Sequence, residues 1–348
     1  MSGAVQDRSE NSDTAPAHRT LLLICLAFAV LFAMLASLAM GAVRLPADRL
    51  LAALLCRADA DASDLSIVWD LRLPRTLLAG LVGASLSVAG AAFQGLFRNP
   101  LADPYVIGAS SGAAFGATIA MSFGIGGAAL GMGVLPLAAF VGALLTVGLV
   151  YVMAEAGSQS SVASLLLAGS ALSAMLSAIV SFLLIWQEQP WFHVFNWLLG
   201  GFSGRSWHHL VIATPYLILG SVLLWMLARP LDALTGGDEL ATSLGLPLRF
   251  TRFLIVAAAG LIVAASVAVS GIIGFVGLIA PHCARWMSGA GHARLIPVSA
   301  LLGALLLILA DIAARTMLAP IEVPVGILTA ALGGPFFLYL LRTRGVHM

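Results

Sequence analysis

All 17 cationic side chains are arginine, and lysine does not occur. That fact alone removes several chemistries. A P-loop needs its lysine on the nucleotide phosphates, and Schiff-base catalysis needs one as well. Any ATP hydrolysis must therefore take place on another polypeptide. The polar side chains inside apolar stretches are hydroxyls and one amide, at helical spacing. Ser170, Ser173, Ser177 and Ser181 recur at i, i+3, i+7 and i+11, within about an 80° sector of a helix. Gly83, Ser87, Gly90 and Gln94 recur at i, i+4, i+7 and i+11. Such a stripe either lines a polar path through a membrane or lets two helices approach closely, and spacing alone leaves both open. No second ligand stands near His282, so no metal site is expected, and there is no catalytic cluster. Cys25, Cys56 and Cys283 are far apart and read as three unpaired thiols.

These groups sit in a chain of 348 residues that is 60% hydrophobic and 9% charged, with a mean hydropathy of +1.02. Soluble domains carry roughly 25% charged residues. The shortfall excludes an ordinary soluble enzyme, a nucleic-acid binder and a disordered protein. A bilayer core takes roughly 20 apolar residues per helix. Ten segments qualify: 21–41, 76–97, 104–123, 132–154, 162–185, 208–228, 250–270, 272–288, 295–313 and 325–342. The expected fold is all-α, a polytopic membrane protein of about ten transmembrane helices. Residues 1–20 form a polar tail expected to be disordered, and 21–348 a single membrane domain. The first apolar run is longer than the roughly 7–15 residues of a secretory signal core, so it reads as a retained helix.

An even number of spans places both termini on one side. With both cytoplasmic, ten arginines fall inside and seven outside, the latter including Arg72, Arg75, Arg205 and Arg315. That is a modest positive-inside bias. Ionisable groups are nearly absent from mid-span, where proton- or voltage-driven machines place them. This argues against a secondary transporter. Gly271, Gly274 and Gly277 read as one smooth packing face. The most polar internal segment, 231–248, reads as a surface loop carrying a short amphipathic helix that could dock a soluble partner. Thr235 is placed to cap it with Asp238 three residues on, and Gly245 and Pro247 to stop it.

Five motifs in order carry a family resemblance from about residue 21 onward: Leu71 to Arg75, Asn99 to Ala102, the loop 237–246, Gly274 to His282, and Glu322 to Gly326. In them the chain resembles the permease subunits of type II ATP-binding-cassette importers, which take up iron chelates, haem and vitamin B12. The resemblance implies a homodimer in the bacterial inner membrane, embedded in lipid, with a path at its axis. It also implies two cytoplasmic ATPase subunits, which bind ATP and magnesium, and one periplasmic binding protein. No cofactor is implied for this chain, nor any nucleic-acid partner.

Residue by residue, Arg72, Arg75 and Arg315 match periplasmic arginines that face glutamates of the binding protein. Asn99 and Leu101 match one cytoplasmic gate, and Ser161 and Ser164 a second. Asp238, Glu239, Ala241, Leu244 and Gly245 match the coupling helix that seats in the ATPase. Ser87, Gln94, Ser170, Ser173, Ser177 and Ser181 would line the path. As a whole the likeness leans toward haem uptake, with ferric siderophore or cobalamin as alternatives. His193, His208 and His209, in segments expected outside, could touch haem iron, though His193 sits in a tryptophan belt.

Overall fold

In hydrocarbon every backbone N–H and C=O must find its partner within the protein, so apolar segments of this length become helices. The computed structural model describes residues 10–41, 43, 45–57, 60–123, 133–156, 162–186 and 191–344. Among these there are fifteen α-helices and no strand. Helix α1 (Glu10–Ala39) leads into α2 (Ala47–Leu54), α3 (Ala62–Ser66) and a π-helical turn (Ile67–Arg72), which runs directly into α4 (Leu73–Leu96). A 3-10 turn (Pro104–Ile107) precedes α5 (Ala109–Ser122), α6 (Val134–Glu155) and α7 (Val162–Trp186). Then come α8 (Trp191–Leu198), α9 (Trp207–Met226), α10 (Ala228–Thr235) and α11 (Asp238–Ser243). The chain ends with α12 (Leu248–Ser270), α13 (Val276–Ser288), α14 (His292–Thr316) and α15 (Val325–Arg344).

Each of the ten expected spans is a helix. Seven are long and apolar enough to cross a membrane, while α5 has 14 residues and α13 has 13, and the apolar part of α15 is also short. One expectation needs correction. The polar N-terminal stretch is helical from Glu10 onward. The segment before α4 is a small helical cap with its own core of Leu38, Leu45, Leu50, Ala53 and Val68. Arg49 clamps that cap through both oxygens of Asp64, at 2.7 and 2.9 Å.

Helix α4 is the axle of the protomer, packed along α14 and covered by α9, α12 and α13. Glycine sets the separation. A Cβ on Gly83 would overlap the carbonyl oxygen of Gly303, and one on Gly90 that of Gly277. The α4 stripe therefore serves packing. Ser87 is buried, with its hydroxyl 3.4 Å from the Val276 carbonyl. Gln94 is buried too, donating to the Leu278 carbonyl and accepting from Arg285 at 3.2 Å. Helix α7 is different. It rests one side on α5 and α6 and leaves Ser170, Ser177 and Ser181 exposed.

The α12–α13 junction is wider than the sequence suggests. Gly271, at φ +67°, ends α12, and the backbone stays unwound until Val276. Gly271 and Gly274 thus lie in the break rather than on a helix face; Gly271 still packs closely, on the Trp197 carbonyl, as Gly277 does on Pro104 and the Leu86 carbonyl, while Gly274 faces open space. Unwound backbone between membrane helices is tolerated where protein satisfies it. Here the Tyr105 hydroxyl donates to the Ile273 carbonyl at 3.2 Å. The Asp103 carboxylate accepts from Tyr105 N at 2.8 Å and from the Phe275 amide.

Candidate functional site: an arginine-framed pocket and a clasped surface segment

At the face where α4 begins and α14 ends, the chain gathers its largest buried charge cluster. Arg75 comes from the first turn of α4, one residue after the Pro74 that starts it. It is 9% exposed. Its Nη2 lies 2.9 Å from Asp311 Oδ1 and its Nη1 3.0 Å from Glu322. Asp311, fully buried, also meets Arg315 Nε at 3.1 Å. Arg315 further donates to the Ser37 hydroxyl at 2.6 Å and to the Met40 carbonyl at 3.2 Å. Arg72 spends itself on the carbonyls of Leu38, Ala39 and Val43. The three matched arginines therefore tie α1, α4, α14 and the 317–324 loop together.

They also frame a cavity of about 380 Å³ that includes Arg205, Asp70 and Glu322 in its wall. A second cavity of about 490 Å³ adjoins it across Arg75, Arg205 and Glu322. Arg205 lies in the turn between α8 and α9, and no motif marks it out. Its only signal was a place among the outer arginines.

At the opposite end of α4, a second cluster fastens the surface segment. The segment 231–248 holds two helices separated at Gly236–Gly237, with Gly237 at φ +115°: α11 is the short helix expected before Gly245, and α10 precedes it without having been expected. The Thr235 hydroxyl donates back to Asp232 O at 2.6 Å and closes α10 instead of capping α11. Gly245, at φ +80°, ends α11, and Pro247 stands just before α12. Ala241 is buried, whereas Glu239 is exposed and Leu240 and Leu244 are 47% and 64% exposed.

Arg98 ends α4 at φ +51°, a conformation glycine usually supplies. Its side chain donates to Leu234 O at 2.8 Å and pairs with Asp238, which also takes Arg252 at 2.6 Å. Asp232 in turn holds His292 Nδ1 at 2.6 Å. The Asn99 turn follows Arg98 directly, with the Leu101 amide donating to Asn99 Oδ1 at 2.9 Å. Leu101 is half-buried, as is Ser164 in the first turn of α7. Ser161, the other matched gate residue, lies outside the described residues.

Burial alone would raise the Asp238 carboxyl, but Arg252 and Arg98 outweigh it and hold it below the usual carboxylate range. A depressed folded value means the clasp is present above the unfolded pKa of about 4 and is lost as pH falls through the folded value. Asp238→Asn should cost ~1 kcal/mol at neutral pH, kept small because the carboxylate is half exposed. Thermal unfolding of the detergent-solubilised chain should show the difference from wild type fading below about pH 4.

Among the described residues the histidines do not converge. His282 is buried between Trp286 and Phe336, with ring centroids at 4.7 and 5.8 Å. His209 Nδ1 accepts from Ser206 N at 3.3 Å and caps α9, His208 is exposed, and the His193 side chain lies outside the described residues. All three cysteines are free. Ser173 accepts from the Ser111 hydroxyl at 3.2 Å and so is partly turned inward from the α7 stripe.

A chain of packed apolar helices, with an unwound junction between α12 and α13, a small-residue axle and a clasped surface segment, is a membrane permease. Comparison with known proteins agrees. The model of the FecCD transport family matches residues 29–343, and the chain belongs to that family. It is 44% identical over 281 residues to the cobalamin import system permease protein of Halobacterium salinarum, covering 81% of this chain and 74% of that one. It is 42% identical over 282 residues to the hemin transport system permease protein of Yersinia pestis, covering 80% and 84%. A solved metal-chelate type ABC transporter in an inward-facing conformation superposes with a TM-score of 0.83, at 33% identity, over 93% of this chain and 99% of that one. The protein is thus a permease of a metal-chelate, haem or B12 type ABC importer.

Proposed function

We propose that this chain forms a homodimer in the bacterial inner membrane, with both termini cytoplasmic, and moves an iron chelate inward, haem foremost. Two soluble ATPase subunits seat on α10–α11, and a binding protein docks on the Arg75 face. The observation that carries the reading is the Arg98 clasp, which joins the surface segment to the α4 end bearing the Asn99–Leu101 turn. Leu240 and Leu244 offer the ATPase an apolar seat beside Glu239 and Gly245. A pull on that seat reaches the gate through one side chain.

The dimer axis falls along α7 and α15, whose faces the protomer leaves uncovered. Exposed Ser170, Ser177 and Ser181 make the path wall, with Ser173 at its edge and Ser164 at its gate end. Ser87 and Gln94, sealed inside the protomer against α13, stand apart from that wall. Haem rests on overall likeness, since permeases named for hemin and for cobalamin are about equally similar.

Uptake into proteoliposomes tests the whole reading, with the chain and its ATPase in the membrane, ATP inside, and binding protein and cargo outside. ATP-dependent haem accumulation is expected. Accumulation of cobalamin or a ferric siderophore but not haem would keep the mechanism and overturn the cargo. Accumulation that persists without the ATPase would overturn the ATP-driven reading.

A further inference from the structure

Four arginines line the paired cavities on the Arg75 face, and three of them are already committed. Arg72 is bonded to three carbonyls, Arg75 to Asp311 and Glu322, and Arg315 to Asp311 and Ser37. Arg205 differs. Among the described residues its Nε is buried without a hydrogen-bond partner, and no carboxylate is paired with it. Burial pushes its guanidinium below the usual arginine range, and nothing offsets that. Arg205 as a whole is half-buried and borders the cavities, and a guanidinium partly withdrawn from water with no anion beside it gains from one that arrives.

The backbone under Arg205 is fixed. Its amide donates to Phe202 O at 3.2 Å, Phe202 is fully buried, and Ser206 begins α9 with the His209 cap. The Trp207 indole donates to Trp69 O at 2.8 Å and pins the same turn to the helical cap before α4. A rigid turn therefore holds an unneutralised cation at the wall shared by both cavities. The other carboxylates there, Glu322 and Asp70, are engaged by Arg75 and by the Ser66 hydroxyl. Charge complementarity is what this wall lacks.

We propose that Arg205 is the receiving cation of this pocket and takes an acidic side chain of the protein that docks on the Arg75 face. The inference rests on the docking reading above, and it changes which arginine does the receiving. The three arginines matched by family resemblance build the socket, and Arg205 makes the contact. The planar guanidinium suits a bidentate carboxylate, and a partner arriving from solvent would trade hydration of one carboxylate for this fork.

The test measures affinity of the purified solute-binding protein encoded with this chain for the full transporter in lipid nanodiscs, at low and high salt. Arg205→Ala should weaken binding about tenfold at low salt and flatten the salt dependence. Arg205→Lys should recover part of it, and Arg57→Ala, an exposed arginine outside the pocket, should stay within about twofold of wild type. Should Arg205→Ala fail to fold, Arg205→Gln gives the same comparison. Equal losses for Arg57→Ala and Arg205→Ala, or unchanged binding by Arg205→Ala, would overturn the inference and leave docking standing. A loss seen only with cargo-loaded binding protein would assign the carboxylate to the cargo and overturn the partner assignment. No binding by the wild-type transporter would overturn the docking reading itself.

Discussion

Asp311→Ala should unfold this protein more readily than any other single truncation of a charged group in it. The carboxylate is fully buried and serves two guanidinium groups, Arg75 at 2.9 Å and Arg315 at 3.1 Å. Its removal leaves both cations beside each other in a site with little water. Breaking a buried pair in this way costs about 3–5 kcal/mol, mostly the desolvation of what remains. Thermal unfolding in detergent should show a fall in midpoint together with poor yield of monodisperse protein. Glu322→Ala is the internal comparison. Its side chain is 40% exposed, water replaces it, and Arg75 keeps Asp311, so the loss should be ~1 kcal/mol. Equal effects of the two substitutions would remove Asp311 as the hub. The same geometry explains why reversing Arg75 or Arg315 to glutamate is a poor test of docking: the helices they join would part first.

The second large effect is expected at Gly90. Here α4 and α13 touch backbone to backbone, and a side chain at Gly90 meets the Gly277 carbonyl. Carbonyl oxygens on a packed helix cannot rotate aside as a flexible side chain can. Gly90→Val should force α13 outward and cost ~3 kcal/mol or more. The shift also disturbs the Ser87 and Gln94 contacts to α13. Gly148→Ala makes the control, because a Cβ there meets nothing within 4 Å and alanine favours the helix by about 1 kcal/mol. A tolerated Gly90→Val with normal yield and melting would mean that α4 and α13 are not held at this separation.

The ten helices were legible because apolar length is a strong signal and leaves little else for the chain to do in lipid. The two stripes were not separable, and the reason is physical. Ser87 and Ser177 sit in helical patterns of the same period, but Ser87 meets α13 and α14 whereas Ser177 is left exposed among the described residues. Only the tertiary arrangement decides that. Arg75 could be singled out by its motif, yet its partners lie 236 and 247 residues away, beyond any local pattern. The Arg98–Asp238–Arg252 clasp was hidden for the same reason. The loop 231–248 could be placed at the surface, but Gly236–Gly237 marked a break inside it that read as ordinary loop composition. Asp103 and Tyr105 carried the one missed signal with a local cue, an Asp-Pro step just after the Asn99 turn.

The bare face of α7 has a further consequence. The Ser170 hydroxyl donates to its own helix at Leu167 O, 3.0 Å away, and Ser181 donates to Ser177 O at 2.9 Å. Their protons are already spoken for, so a passing solute meets oxygen lone pairs and methylenes, with few groups to grip it. Along the proposed path such a wall is slippery and indifferent. It would let a flat porphyrin and a bulky corrin slide by alike, and it would hold neither long enough to tell them apart. Cargo choice then belongs to the delivery step, and a change of cargo between related transporters would call for no redesign of the corridor.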